Sequence, residues 1–579
     1  MSTIDLQSRF YQDVNETCPL SEYPRPQMQR DSYLNLNGIW KCQITKDEKE
    51  PSNYNLDILV PFAIPTLLSK VNHVLQVDEF LHYKKEFMVE EEFIKDITIL
   101  HFGAVDQSCD VYVNDKFVGS HLGGYLPFSF DISDHIIVGS NTIKLRVRDL
   151  SNTSFYSYGK QSLKRGGMWY TPTSGIWQTV WLESVNKGYL KQLKITPNID
   201  DSTVNFKLTC DDKFNECKIS IYNYSHNLII EETFNNNDIT INLTNFILWK
   251  PEDPYLYYVK IEIDDIDIVN TYFAMRKFSI GNSQHGPCFM LNNQPYFIHG
   301  LLDQGYISDG GYTFPTDEAM KFDIIEMKKL GFNTLRKHIK IEPLRWYYHC
   351  DTLGMIVFQD LVNGGKYDFN FMTLLPTIGF KKFKDNKYKK FGREKLEART
   401  NFINEMHETV NLLYNSPSVA SYTIFNEGWG QFDALTIEAE IKKLDPTRVI
   451  DHASGWFDQG GGDICSLHVY FRKIKIKKDK RPIMVTEFGG YSYKVPGHVY
   501  NINKEYGYKK FKTLDCFANA FIKLYEKQII PNIEKGLCGC IYTQVSDVED
   551  ETNGILTYDR KVNKLENYQF EEISEKLKL

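Results

Sequence analysis

Two short stretches carry residues that could do chemistry together. In FNEGWGQ (425–431), Asn426 and Glu427 follow the apolar run SVASYTI, and in PIMVTEFGG (482–490) Glu487 closes a second such run. A carboxylate at the mouth of a buried strand is costly to desolvate, so it usually has a task. Two glutamates facing each other at about 5 Å suit double displacement at a sugar's anomeric carbon, one as nucleophile and the other alternating as acid and base.

That chemistry needs unequal acidities, and nearby residues can supply them. FNTLRKH (332–338) brings Arg336 and His338, and CSLHVY (465–470) brings His468 and Tyr470. Arg336 and the Tyr470 hydroxyl would keep Glu487 ionised, while a less compensated Glu427 would hold its proton. Asn426 would hydrogen-bond the sugar hydroxyl beside the anomeric carbon. Asp303 and Gln304 end another apolar run and could bind hydroxyls or brace the mouth.

These groups converge only if the strands are parallel. After residue 285 strand-like runs alternate with helical ones, which implies βα units. The strands are QPYFIHGLL, FNTLRKH, GMIVFQDL, SVASYTIFNE, RVIDHAS, CSLHVY, PIMVTEF and GCIYTQV. Eight over about 295 residues fit a (β/α)8 TIM barrel, whose chemistry sits where strands end. TDEAMKFDIIEMKKLG (316–331) reads as a helix with Thr316 as N-cap, acids in its first turn, lysines in its last and Gly331 beyond. REKLEARTNFINEMHETVNLLYN (393–415) reads as another.

The first 285 residues follow a different grammar. Residues 1–185 show alternating runs such as ITILHFGAV and NTIKLRVRDL, the pattern of an antiparallel β-sandwich, with a turn at Asn114 and Asp115. From 186 to 284 shorter runs of the same kind fit an immunoglobulin-like sandwich.

Composition narrows the function classes. A net charge of −8 argues against a nucleic-acid or membrane binder, and no apolar run has the roughly 18 residues a span requires. The opening residues lack a signal-peptide pattern, and eleven scattered cysteines make no disulfide framework or metal motif, so a reduced, cytoplasmic setting is expected. The basic runs KKFKDNKYKK (381–390) and RKIKIKKDKR (472–481) read as solvated loops. The sequence leaves homo-oligomerisation open.

The chain resembles glycoside hydrolase family 2, the family of β-galactosidases, β-glucuronidases and β-mannosidases. YPRPQMQRDSYLNLNGIWKCQI is similar to the family's opening, and FGAVDQSCDVYVNDKFVGSHLGGYLPFSFDIS and SGIWQTVWLE to its sugar-binding jelly roll. LWKPEDPYLYYVKI and FAMRKFSI resemble the end of its immunoglobulin-like domain. FNEGWG matches the acid/base motif and VTEFGG the nucleophile motif. NTLRKH matches the strand-two arginine, and SLHVY the segment whose tyrosine touches the nucleophile. The resemblance implies Glu427 as acid/base, Glu487 as nucleophile, Tyr470 as the nucleophile's partner, and a cofactor-free retaining mechanism.

Departures from the family pattern matter as well. Strand eight, YTQVSDVEDETNG, lacks the tryptophan that often floors the sugar site, so Tyr542, a loop aromatic such as Trp456, or a different floor must serve. QDLVNGG lacks the acid and histidine that help hold magnesium in large β-galactosidases, so no metal site is expected. The Asn-x-Lys pattern that grips a uronate is missing near the end, where KVNKL offers Asn563 and Lys564 adjacent. Lys340, Lys561 or Lys564 could still reach a carboxylate. Asp547, Glu549, Asp550 and Glu551 read as a solvated loop. The expected activity is exo-acting hydrolysis of a terminal β-linked sugar from a carbohydrate. A β-galactoside is the first choice and β-glucuronide or β-mannoside the alternatives. A silent carbohydrate-binding protein and a transglycosylase are the rival readings.

Overall fold

Alternation of buried and exposed side chains sets the N-terminal architecture. In the computed structural model, which describes residues 5–579, Ser108–Val113 alternates strictly, and the pattern continues through its partner Gly139–Arg148. The first four residues of the opening stretch lie outside the described residues. Six antiparallel strands run in the order Leu56–Val60, Gly38–Thr45, Phe80–Val89, Gly139–Arg148, Ser108–Val113, Lys116–Leu122. They face a four-stranded sheet built around Ile97–Phe102 and Val180–Val185. Trp40, Tyr83, Leu100, Val111 and Leu145 fill the space between. The hairpin joining Ser108–Val113 to Lys116–Leu122 turns at Asn114 and Asp115, whose φ values of 46° and 64° suit these two residue types.

A second sandwich follows. Leu190–Asn198, Thr203–Cys210 and Asp238–Asn242 form one sheet, and Leu228–Phe234, Cys217–Tyr222, Tyr257–Ile263 and Asp267–Phe273 the other. Between it and the barrel lies a hairpin that the sequence reading did not separate, Phe278–Ser283 with Gly286–Leu291. It caps the N-terminal end of the barrel, where Phe289 packs with Ile298, Ile356, Met484 and Ile541.

The barrel strands are Ile298–Asp303, Thr334–Lys337, Ile356–Asp360, Val419–Thr423, Val449–Asp451, Cys465–Val469, Ile483–Gly489 and Leu537–Thr543. They pair in parallel in the order five, four, three, two, one, eight, seven, six. Strands five and six are not hydrogen-bonded to each other, so the barrel is nearly closed. Thr316 caps Asp317–Lys329 by accepting the Ala319 N–H at 3.1 Å, and the second long helix runs Leu396–Leu413. No helix follows strand six: 472–481 is a loop, as is most of 361–395. Both lie at the end of the barrel where the glutamates stand. No helix among the described residues is long and apolar enough to cross a membrane.

Candidate active site

Glu427 sits four residues beyond the end of strand four, on a backbone held from both sides. Its φ is +52°, and Gly428 beside it has φ +73°. A left-handed glutamate is costly unless its surroundings enforce it. Its N–H donates to the Ser454 carbonyl at 2.9 Å, and its own carbonyl accepts the Trp456 indole N–H at 2.9 Å. A Cβ at Gly428 would meet the Phe457 ring at 2.2 Å, so only glycine fits there.

Glu487 comes from inside strand seven and is almost wholly buried. Arg336 Nη1 donates to its Oε1 at 3.1 Å, and the Tyr470 hydroxyl donates to its Oε2. Arg336 is fixed by Asp360, which takes its Nε and Nη2 at 2.9 and 3.0 Å. Nη2 also donates to Asn426 Oδ1 at 2.8 Å. A guanidinium only donates, so this bond turns the Asn426 amide until its NH2 faces the mouth. His338 Nδ1 meets Asp360 Oδ2 at 2.7 Å. Asp360 thus holds two of the predicted site residues, Arg336 and His338, and sequence reasoning missed it. The available signal was an acid ending the buried run VFQD.

Across the mouth, His468 Nδ1 lies 2.8 Å from Glu427 Oε1, and its Nε2 lies 3.0 Å from Ser454 Oγ. Burial pushes the imidazole down to about 3, so His468 is neutral. The serine hydroxyl can donate to Nε2 while Nδ1–H donates to Glu427, which leaves Oε2 to carry an acid proton. Burial is also the largest influence on Glu427 and lifts its carboxyl above the usual carboxylate range. Lys160 from the N-terminal sandwich is the strongest of the cations that oppose this. A carboxylate oxygen of Glu427, one of Glu487 and a His468 nitrogen all lie within 4.8 Å of one another.

A metal ion would accept that spacing, yet the surroundings favour none. Arg336 already neutralises Glu487 at 3.1 Å and would repel a cation. Tyr470 and Ser454 use further lone pairs of Glu487 and His468.

Other predicted residues are placed differently. Asp303 is buried, with Oδ2 on Lys337 at 2.6 Å and Oδ1 on the Gly305 N–H at 2.9 Å, so both oxygens have protein partners. Trp456 stands behind Glu427, its ring edge-on to His468 at 5.6 Å. Tyr542 packs in the core against Phe488 and Phe521 and accepts the Tyr491 N–H, so it floors nothing. A further ring beside the site is Tyr508, from the loop after strand seven, stacked on Tyr470 with centroids 3.8 Å apart.

The solvated-loop expectation for Asp547, Glu549, Asp550 and Glu551 is corrected: all four are buried. Glu549 and Asp550 pair with Arg165, Glu551 accepts the Tyr170 hydroxyl at 2.5 Å, and Asp547 pairs with Lys564. Glu549, Asp550 and Glu551 dock the segment after strand eight against a loop of the N-terminal sandwich, whose cation and hydroxyl compensate their burial, while Asp547 is compensated from within the barrel's own end. Lys340 and Lys564 are tied to buried acids and carbonyls, so neither is available to a ligand. Trp169, on the same N-terminal loop, packs edge-on to Trp429 and Tyr367 beside the mouth.

Comparison with known proteins covers nearly the whole chain. Residues 25–185 match the sugar binding domain of glycosyl hydrolases family 2, 188–276 the domain described simply as glycosyl hydrolases family 2, and 284–569 the family's TIM barrel domain. A β-galactosidase of Thermoanaerobacter pseudethanolicus is 24% identical over 359 residues, 57% of this chain and 46% of that protein. A β-galactosidase of Leuconostoc mesenteroides subsp. mesenteroides is 26% identical over 453 residues, 70% of this chain and 40% of that protein. The chain thus spans less than half the length of these relatives. The fold is shared with a β-glucuronidase from an uncultured Clostridium species, with TM-score 0.74, 17% identity, and coverage of 95% of this chain and 99% of that one.

Proposed function

Because the chain belongs to glycosyl hydrolases family 2, we propose that it is an exo-acting β-glycosidase that retains anomeric configuration, with Glu487 as nucleophile and Glu427 as acid/base. The observation that carries this reading is the closeness of the two carboxylates, with an oxygen of one within 4.8 Å of an oxygen of the other. Inverting enzymes hold the pair roughly 6.5–9.5 Å apart to admit a water between them.

In the first step a Glu487 oxygen bonds to the anomeric carbon as the glycosidic C–O bond breaks. The leaving oxygen takes the proton from Glu427 Oε2. In the second step the Glu427 carboxylate removes a proton from water, the water oxygen bonds to the same carbon, and Glu487 departs with its electron pair. Arg336 and Tyr470 stabilise the Glu487 carboxylate before attack and on departure. The Asn426 amide is oriented to hydrogen-bond the neighbouring sugar hydroxyl.

Exo action is supported by the N-terminal loop carrying Lys160 and Trp169, which walls one side of the mouth. For the terminal sugar a neutral hexose is favoured because Lys340 and Lys564 are already consumed, and β-galactoside comes first because that activity is common in the family. A β-glucuronide is the second reading, since exposed Lys561 has no acidic partner among the described residues. The reading needs no cofactor, and the cysteine pattern supports a cytoplasmic setting as part of the proposal.

Proton NMR of fresh hydrolysate from an aryl β-galactoside should show the β anomer first. An α anomer formed first would overturn the retaining assignment. Hydrolysis of aryl β-galactoside, β-glucuronide and β-mannoside at equal concentration tests the sugar. A glucuronide preference above about tenfold, roughly 1.4 kcal/mol, would overturn the first choice.

A further inference from the structure

The two basic stretches form one surface. Thirteen of the twenty residues in 381–390 and 472–481 are Lys or Arg and two are Asp, in a chain of net charge −8. Arg472 Nη2 donates to the Thr377 carbonyl at 3.2 Å, which joins the loop after strand six to the loop after strand three. The Phe457 N–H donates to the Lys381 carbonyl at 3.0 Å, and Gln459 Nε2 to the Phe383 carbonyl at 2.8 Å. Both aspartates are spoken for, Asp385 by the Ala434 N–H and Asp479 by Arg481. Neither Lys381 nor Arg472 pairs with a carboxylate among the described residues.

This surface borders the leaving-group side of the glutamates. Lys381 Nζ stands 5.5 Å from the centre of the Trp456 ring, whose N–H holds the Glu427 carbonyl, and the Lys381 charge is felt at Glu427. Phe471 directly follows Tyr470, is 68% exposed, and lies edge-on to Tyr508 at 5.3 Å. Phe380, next to Lys381, is 66% exposed. Both rings leave most of their surface open to solvent. They offer faces on which a sugar ring can lie.

We propose that this rim binds the part of the substrate beyond the scissile bond, and that this part is an acidic sugar chain bearing uronic acid carboxylates. This inference rests on the glycosidase reading above and adds the class of leaving group. Phe471 and Phe380 supply stacking faces, and Lys381 and the planar two-donor fork of Arg472 supply the charge a carboxylate needs. The leaving group must sit on this side because Glu427 protonates it.

The test compares β-galactosyl disaccharides whose second sugar is neutral, a uronic acid or a sulfate ester. At low salt kcat/KM for the uronic acid substrate should exceed that for the neutral one about tenfold, and the gap should close towards 0.5 M salt. In the Lys381→Glu, Arg472→Glu double variant the acidic-to-neutral ratio should fall to about one, a ratio from which any effect on the chemical step cancels. Calorimetry with a uronic acid oligosaccharide reads the rim even without turnover, so a failed glycosidase reading is distinguishable from a failed rim. It should show binding that the double variant loses. Equal rates on neutral and acidic substrates, no oligosaccharide binding, or a preference for the sulfate ester over the uronic acid would each overturn the proposal.

Discussion

His468 presents Nδ1 to Glu427 Oε1 at 2.8 Å while remaining neutral. Glu427, the proposed acid/base, therefore has an uncharged orienting partner, whereas Glu487 across the mouth has the guanidinium of Arg336. The two carboxylates of one site thus have electrically different neighbours, a neutral imidazole at one and a guanidinium at the other.

The pH profile should record that asymmetry. Glu427 must enter the first step protonated, so kcat/KM should fall as pH rises through its elevated pKa, above the ordinary carboxylate range. Lys160 is the strongest cation lowering that pKa, so Lys160→Met should move the alkaline limb to higher pH. A limb that stays in place or moves down would count against Glu427 as the acid.

Asp360 should behave as a positioning residue. It holds Arg336 through two bonds and His338 through one. Asp360→Asn leaves a buried guanidinium under-compensated, with an expected stability loss of about 3–5 kcal/mol by urea unfolding. We expect kcat to fall about a hundredfold with KM little changed, because the sugar contacts remain. A mutant that keeps wild-type kcat would refute this role.

Asn426 can be tested against the substrate atom it is placed to meet. Asn426→Ala should lower kcat/KM about 10–100-fold on the parent glycoside, the effect of one to two hydrogen bonds strengthened in the transition state. On the 2-deoxy glycoside the same mutation should cost far less. Equal losses on both substrates would show that Asn426 acts only on Arg336.

Much of this site was legible because strand ends advertise themselves. Glu427, Glu487, Arg336, His338, His468 and Tyr470 lie on or just past the ends of runs that could only be buried strands, and a parallel barrel brings such ends together. The alternating sandwiches and the Thr316 cap were readable for the same local reasons. Tyr508 and Lys160 were not, because they reach the site on loops whose course no periodicity records. The buried acids Glu549, Asp550 and Glu551 were misread because their partners, Arg165 and Tyr170, lie nearly 400 residues earlier in the chain. The capping hairpin at 278–291 was missed because its short strands continue the grammar of the sandwich before it.

Loss of the acid should depend on the leaving group. Glu427→Ala should slow glycosides with poor leaving groups at least a hundredfold more than activated aryl glycosides, which need little protonation. Azide should partly restore the mutant by attacking the glycosyl-enzyme from the vacated face. Equal slowing of both substrate types with no azide effect would remove the assignment.

The identity of the nucleophile is tested most directly by trapping the covalent intermediate. A 2-deoxy-2-fluoro β-glycoside with an activated leaving group should inactivate the enzyme, and mass spectrometry of the digest should place one sugar on the peptide holding Glu487. In Glu487→Gln no adduct should form and turnover should fall by several orders of magnitude. An adduct on another residue, or wild-type turnover in Glu487→Gln, would contradict the account.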